Sequence, residues 1–486
     1  MSELILVLDA GTTSTRAMLF APDGALHGTE RAELTQHYPQ PGWVEHDAQE
    51  IWERTFACAC KMAESAGGAS RIAGIGITNQ RETVVAWDKS TGEPLSQAIV
   101  WQDRRTADLC AALRESGHEE AVRDKTGLLL DPYFSATKMR WLLDHEPTVA
   151  EAASAGRLAF GTIESWLVFK LTGAHISDAG NASRTLLLPL ADRSWDEGLC
   201  ELFGVPVATL PEVVDSAGRF GSTALFGAPI PVCGLAGDQQ AATIGQGCLR
   251  FGDTKATYGT GAFVLANQGT TLPRSGHRLL GTVLYQLGGE RCYALEGSVF
   301  VAGSFIQWLR DSLGLILSSA ETEELARSVS DCGGVVVVPA LAGMGAPHWR
   351  PEARGLIRGL SFATGKAQIV RAALEAMAHQ TDDLAAAFAA DGAPWRELRI
   401  DGGMAANNWM AQDIADVAGL AVVRPDFVET TALGVAMLAA VGAGMHTSLE
   451  VAAKAMIGSG RRFEPEMPAE LRERRQAAWR AALQSV

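Results

Sequence analysis

The chain has 486 residues, of which 47% are hydrophobic and 20% charged, with a formal charge of -15. That length calls for two or three domains, and the composition excludes a largely disordered chain or a small disulfide scaffold. The acidic balance argues against a nucleic-acid binder or a membrane-surface protein, yet leaves nucleotide binding open, because backbone amides and a metal ion can hold a polyanion.

Leu4 to Leu8 is a short apolar run that reads as a strand, followed by the loop Asp9-Ala-Gly-Thr-Thr-Ser14 and a second run from Ala17 to Phe20. No helix intervenes, so the spacing predicts a hairpin with a phosphate-sized turn, closed by Ala21-Pro-Asp-Gly24. The start lacks a basic region, and no run of about 18 apolar residues occurs, so neither a signal peptide nor membrane insertion is expected. Asp47 stands where a helix N-cap belongs, with Glu50 at capping-box spacing. Strands are predicted over 72–77 and 83–87, and helices over 104–114 and 135–145.

The pattern restarts near Pro229-Ile-Pro-Val-Cys233, with glycine-rich turns at Gly234–Asp238 and Tyr258-Gly-Thr-Gly261. A buried strand over 335–338, a long alanine-rich helix over 366–390, a strand over 398–400, the turn Asp401-Gly-Gly403 and a helix from about Asn407 follow. The alternation defines an α/β chain divided near residue 247, into 1–247 and 248–486. Eight cysteines form no C-x-x-C pair and no zinc spacing, which fits reduced thiols in a cytoplasmic protein.

Several segments admit both a chemical and a structural reading. Asp9 to Arg16 combines a carboxylate at a strand end with a glycine, hydroxyls and an arginine. That set suits a phosphate and Mg2+, or equally a capped β-turn. Tyr258-Gly-Thr-Gly261 is a second phosphate-gripping turn or an ordinary hairpin. Asp401 to Asn408 is a nucleotide-facing strand-to-helix turn or a tight turn capped by Asn407. Arg81 and Glu82 are a solvated ion pair, or a donor and acceptor for a polyhydroxy substrate. Trp101 and Tyr133 are core residues or the wall and hydroxyl of that site. Asp238 is a helix N-cap or the base that deprotonates an attacking hydroxyl.

Taken together, these segments resemble one family, the FGGY carbohydrate kinases. The resemblance runs over essentially the whole chain. It includes Asp9–Ser14, Pro41-Gly-Trp-Val-Glu-His-Asp47, Gly76–Thr83, Ile99–Thr106, Asp131–Ser135, Asn181-Ala-Ser-Arg-Thr185, Ala236–Ala241, Tyr258–Gly261, Tyr293-Ala-Leu-Glu-Gly297, Ile306–Asp311 and Asp401–Gly403. The stretches 133–145 and 355–375 fit the two family signatures. The runs Thr78-Asn-Gln-Arg-Glu-Thr83 and Pro41–Asp47 are similar to the branch that phosphorylates glycerol, ahead of branches acting on ketoses such as xylulose.

The resemblance implies an actin/hexokinase-like ATPase fold: two RNase H-like domains around a cleft. It implies ATP and Mg2+ as cofactors, glycerol as acceptor, and a homo-oligomer, dimer or tetramer. Arg81, Glu82, Tyr133, Asp238 and Gln239 would contact glycerol, with Trp101 and Phe263 as apolar walls and Asp238 as catalytic base. Thr12, Thr13, Ser14, Arg16 and Thr260 would hold phosphates. Gly303, Gln307, Gly403 and Asn407 would surround the adenosine end, and Asp9 would associate with Mg2+. Two departures argue against known controls of the family. The stretch Phe220–Pro229 lacks the basic residues of the fructose 1,6-bisphosphate loop, and no histidine lies between His175 and His277 to take a regulatory phosphate. Ala10 replaces a glutamine common in that branch.

Overall fold

The computed structural model describes residues 3–350 and 352–486. It contains two large mixed sheets with helices on their faces. The first sheet has six strands in the order Ser222–Thr223, Ile230–Gly237, Ile72–Asn79, Leu4–Ala10, Ser14–Phe20, Leu26–Glu33. Its middle three strands, Ile230–Gly237, Ile72–Asn79 and Leu4–Ala10, run parallel, and Leu4–Ala10 opens an antiparallel meander through Ser14–Phe20 to Leu26–Glu33. The predicted hairpin is therefore present, with Asp9 opposite Arg16.

Leu4–Ala10 is buried at every position because both faces of the sheet are covered. Leu4, Leu6 and Leu8 pack with the helix Ala48–Ser65 and with Trp166 of the helix Ile163–Thr172. Ile5 and Val7 face the other way, against the helix Thr430–Gly442. That helix is apolar all round, as a helix enclosed on every side must be. It also crosses the helix Asp238–Gly245 so closely that a Cβ on Gly434 would lie 1.8 Å from the Ala241 carbonyl oxygen. A segment from the far end of the chain thus completes the core of the first sheet.

The second sheet has seven strands in the order Leu280–Leu287, Glu290–Val299, Ala262–Gly269, Asp253–Tyr258, Glu397–Asp401, Val422–Pro425, Gly460–Phe463. It repeats the plan of the first. A parallel set, Asp253–Tyr258, Glu397–Asp401 and Val422–Pro425, adjoins an antiparallel set that starts with the hairpin Asp253–Tyr258/Ala262–Gly269, continues to Glu290–Val299 and ends with Leu280–Leu287 on the edge. The long helix Lys366–Ala390 and the helix Asn408–Ala418 pack into its core.

Local signals in the sequence were realised with small shifts. Asp47 caps its helix, accepting from the amides of Gln49 and Glu50. Glu50 does not close the reciprocal arm of a capping box; its carboxylate accepts instead from the Thr35 amide and hydroxyl, both at 3.1 Å. The helix expected from residue 104 begins at Ala107. All eight cysteines are unpaired. Among the described residues no helix is long and apolar enough to cross a membrane.

Candidate active site

Strand register decides what meets at the site. In the first sheet Asp9 lies opposite Thr78, and Thr78 opposite Ala236. The segments that follow, Gly11–Ser14, Gln80–Glu82 and Asp238, therefore leave the same end of the sheet, where ligands bind in open parallel sheets. In the second sheet Thr257 lies opposite Asp401, so Gly259–Gly261 and Gly402–Gly403 leave one end together. Polar links join the elements of the two sheets at these ends. Arg81 donates to Glu296, Lys255 donates to Gln239, and Arg16 bridges Asp9 and Glu429.

Arg81 and Glu82 are buried, so the solvated-pair reading fails. Arg81 grips Glu296 with two hydrogen bonds, Nη1 to Oε2 at 2.6 Å and Nη2 to Oε1 at 3.0 Å. Its Nη2 also donates to the Tyr133 hydroxyl at 3.3 Å, and its Nε lies 3.5 Å from Asp238 Oδ1. Arg184 donates to Glu82 at 2.6 Å and to Glu296 at 3.1 Å. Two arginines and two carboxylates thus form a closed, charge-balanced quartet; buried charges persist when they are paired and hydrogen-bonded in this way. Burial works to raise the Glu296 carboxyl, but Arg184 and Arg81 outweigh it and hold it at about 2. Glu82 sits at φ 61, in the left-handed region that non-glycine residues rarely adopt. Such strain persists where the surroundings over-determine it.

An apolar corner stands beside the quartet. The ring centroids of Trp101 and Tyr133 are 5.7 Å apart, and those of Trp101 and Phe263 6.5 Å, both edge-on. Tyr133 is carried on a turn that Lys138 holds from inside. Its buried Nζ donates to the carbonyls of Pro132, Tyr133 and Phe134, at 2.9, 2.6 and 2.8 Å. Trp101 Nε1 donates to Thr12 Oγ1 at 3.0 Å, tying this corner to the first hairpin turn.

Asp238 is the first residue of its helix, with Gly237 at the cap position, so the N-cap reading of Asp238 fails. Its side chain remains 34% exposed at the wall of the site. Burial by the surrounding protein pushes its carboxyl up to about 6, against the pull of Arg81. Gln239, next to it, accepts from the buried Lys255 Nζ, whose pKa burial lowers.

On the first hairpin turn, Thr13 is exposed while Thr12 and Ser14 are half-buried. Arg16 is committed to carboxylates, with Nη2 on Asp9 at 2.7 Å and Nη1 on Glu429 at 2.6 Å. Asp9 is buried; desolvation pushes its carboxyl up and Arg16 pulls it back.

A cavity of about 620 Å³ opens beside the second hairpin turn. Thr260, Gly303, Gln307, Gly403 and Asn407 all line it, together with Thr322 and Glu323. The Gly303 amide donates to the Gly259 carbonyl at 2.9 Å, which clasps the hairpin turn to the start of the helix Gly303–Asp311. Asn407 caps the helix Asn408–Ala418 through the Met410 amide and donates to Thr322. The volume and largely apolar lining suit a small organic ligand.

The expected residues therefore form three groups: an acceptor-sized corner at Arg81, Glu82, Trp101, Tyr133, Asp238, Gln239 and Phe263, the first hairpin with Asp9, Thr12, Thr13, Ser14 and Arg16, tied to that corner through Trp101, and a cavity lined by Thr260, Gly303, Gln307, Gly403 and Asn407. Sequence reasoning missed Arg184, Glu296, Lys255 and Glu429 as members. Glu296 and Lys255 carried a usable signal, since each is a charged residue inside an otherwise buried strand.

Residues 4–245 match the N-terminal domain of the FGGY family of carbohydrate kinases, and residues 254–443 match its C-terminal domain. A glycerol kinase of Rhodospirillum rubrum is 54% identical over 492 residues, covering 99% of this chain and 98% of that protein. The solved structure of Plasmodium falciparum glycerol kinase with ADP superposes with a TM-score of 0.94 at 34% identity, covering 99% of this chain and 98% of that one. A xylulose kinase from Rhodospirillum rubrum superposes at 0.88 with 26% identity, over 99% and 98% of the two chains. The paired sheets, the charged corner and the matches over nearly the full length agree, and the chain belongs to the FGGY family of carbohydrate kinases.

Proposed function

We propose that the chain transfers the γ-phosphoryl group of ATP to a terminal hydroxyl of glycerol, giving sn-glycerol 3-phosphate and ADP. The observation that carries this reading is the acceptor corner. A buried arginine–glutamate pair lies beside three aromatic rings and a part-exposed aspartate. The pair offers hydrogen bonds to adjacent hydroxyls, the rings receive a short carbon skeleton, and the aspartate can reach a hydroxyl proton. The 54% identity to a glycerol kinase, against 26% to a xylulose kinase of similar fold, favours glycerol over a ketose.

In this reading Arg81 donates to one glycerol hydroxyl and Glu82 accepts from it or its neighbour. Tyr133 and Gln239 add polar contacts, and Trp101 and Phe263 bound the carbon side. Asp238 accepts the proton of the terminal hydroxyl as its oxygen bonds to the γ-phosphorus. The bond from that phosphorus to the β–γ bridging oxygen breaks, and ADP leaves with the electron pair. A carboxyl pushed up to about 6 is still ionised at neutral pH and is a stronger base than an ordinary aspartate.

Thr12, Thr13 and Ser14 would hold phosphate oxygens from one side and Thr260 from the other, with Arg16 near the first turn. Gly303, Gln307, Gly403 and Asn407 would receive the adenosine end in the cavity. Asp9 fits Mg2+: it is a buried carboxylate at a strand end, an oxygen donor whose charge a cation now offsets. Bound Mg2+ supplies neutralisation of charge on the phosphate oxygens. Residues 1–247 then carry most of the acceptor site and the first phosphate turn, and 248–486 the adenosine site.

ADP release from Mg·ATP, measured against glycerol, dihydroxyacetone, xylulose, ribulose and gluconate, tests the acceptor. Glycerol is expected to give the highest kcat/KM. Asp238→Asn is expected to lower kcat about 1,000-fold with ATP affinity little changed. Preference for a pentulose would overturn the acceptor assignment, and normal turnover by Asp238→Asn would overturn the base.

A further inference from the structure

Glu296 belongs to the strand Glu290–Val299 of the second sheet, paired in register with Leu265, and lies two residues from Ser298, the register partner of Phe263. It is fully buried, yet it approaches the acceptor corner from the opposite half of the molecule to Arg81 and Glu82. Its two oxygens account for three of the hydrogen bonds that fix the corner. Oε2 accepts from Arg81 Nη1 at 2.6 Å, while Oε1 accepts from Arg81 Nη2 at 3.0 Å and from Arg184 Nη2 at 3.1 Å. Arg184, so held, presents Nε to Glu82 at 2.6 Å. One carboxylate therefore sets both groups that the proposed function assigns to the substrate: Arg81 directly, and Glu82 through Arg184.

The geometry around Arg81 shows what this arrangement prevents. Its Nη1 and Nη2 point at Glu296, with Gln240 and Tyr133 as further acceptors at 3.3 Å. Its Nε stays 3.5 Å from Asp238 and 3.8 Å from Glu82, too far for good hydrogen bonds. Without Glu296 the guanidinium would have two other carboxylates within reach, Asp238 and Glu82, the latter already accepting from Arg184. Turning onto either would occupy a group that the acceptor or the reaction needs.

We propose that Glu296 is a positioning residue for the acceptor. It draws Arg81 away from Glu82 and Asp238, leaves those carboxylates for glycerol and its proton, and makes the acceptor site complete only when the second sheet is docked on the first. The inference rests on the acceptor corner being the glycerol site.

The test is steady-state kinetics of Glu296→Gln and Glu296→Asp with glycerol and ATP varied separately, alongside thermal unfolding of each protein. Glu296→Gln keeps the shape but turns an amide toward two arginines; Glu296→Asp keeps the charge and shortens the reach. The glycerol KM is expected to rise about 30-fold in the glutamine variant and about fivefold in the aspartate variant, with the ATP KM within about twofold of wild type. If the glutamine variant does not fold, the aspartate variant alone decides by the same split between the two KM values. A glycerol KM within about twofold of wild type in a folded variant overturns the proposal. So does a parallel rise in both KM values with a lowered melting temperature, which would make Glu296 a strut between the sheets. Failure of the wild-type protein to use glycerol would be a separate result, overturning the acceptor reading itself.

Discussion

At the acceptor corner, the fold buries four charges, Arg81, Glu82, Arg184 and Glu296, and pairs them with one another. At the cavity beside the second hairpin turn, the walls combine turn backbone at Gly259, Gly303 and Gly403 with apolar side chains such as Ile306, Leu374 and Met404, and among the described residues Glu323 is the only charged lining group. One end is specified by which functional groups are present, the other by where Cβ atoms are missing. The difference predicts opposite sensitivities. If the cavity takes the nucleotide as proposed, isosteric changes of charge should damage the use of glycerol and spare that of ATP, whereas an added methyl group should do the reverse.

Gly303→Ala is the strongest way to break that comparison. A Cβ there would lie 2.5 Å from the Gly259 carbonyl oxygen and 3.3 Å from its carbonyl carbon, and backbone cannot swing aside as a side chain can. Either the helix start or the Gly259–Gly261 turn must move, and both are cavity walls. The ATP KM is expected to rise about 30-fold, the cost of a moderate overpacking, while the glycerol KM stays within about twofold. Parallel loss of both would show that the two ends are not separately built.

Trp101 ties the acceptor corner to the first hairpin turn and sharpens the comparison. Its ring bounds the acceptor corner, while its Nε1 holds Thr12 on the turn Gly11–Ser14. Trp101→Phe keeps an aromatic wall and removes one hydrogen bond. The ATP KM should rise about fivefold, as expected for one neutral hydrogen bond, with a smaller change for glycerol. A larger effect on glycerol than on ATP would mean that the indole's bulk matters more than its tie to Thr12.

The same contrast governs what could be read from the sequence. The turns announced themselves locally. Asp9–Ser14 and Tyr258–Gly261 each sit between runs of strand character with glycine and hydroxyls in a short window, and Asp401–Gly403 shows its glycine pair between a strand run and a helix. The hairpin through Asp9 and Arg16, the long helix over 366–390 and the Asn407 cap follow from nearest-neighbour rules, and the structure contains them. The quartet did not announce itself, because its links span 102 to 215 residues of chain. A burial-blind reading of Arg81-Glu82 sees a loop ion pair; only the third partner, on another sheet, shows that the pair is interior. The helix Thr430–Gly442 marks the other limit. Its uniformly apolar sequence says it is enclosed, but not that it covers the first sheet, because that choice is made by close helix crossing at Gly434 and Gly245.

Behind the acceptor corner lies a second buried polar cluster whose titration gives the smallest of the expected effects. Asn79, at the end of the strand that leads to Arg81, and Asn181, three residues before Arg184, exchange amide hydrogen bonds of 3.1 Å in both directions. Glu164 accepts from Asn79 and from the hydroxyls of Thr162, Ser165 and Ser177, and Asp178 accepts from Asn181 and Ser216. Burial, and then the neighbouring Asp178, push the Glu164 carboxyl up to about 7. A group whose pKa is raised by folding favours the fold in its protonated form. Its contribution is complete below the ordinary glutamate range and is lost as pH rises through about 7. The loss amounts to no more than about 3 kcal/mol. Glu164→Gln removes the titration while keeping an oxygen for Asn79, and the hydroxyls around it can rotate to accept from the new amide. Thermal unfolding from pH 5 to 8 should therefore fall more steeply for wild type than for the variant, the difference cancelling the other carboxyls that titrate in both. Curves that stay parallel would show that Glu164 holds its charge state across the range. The corner's supporting layer would then be rigid electrostatically as well as sterically, and the pH response of the acceptor end would come from groups at the corner itself, Asp238 among them.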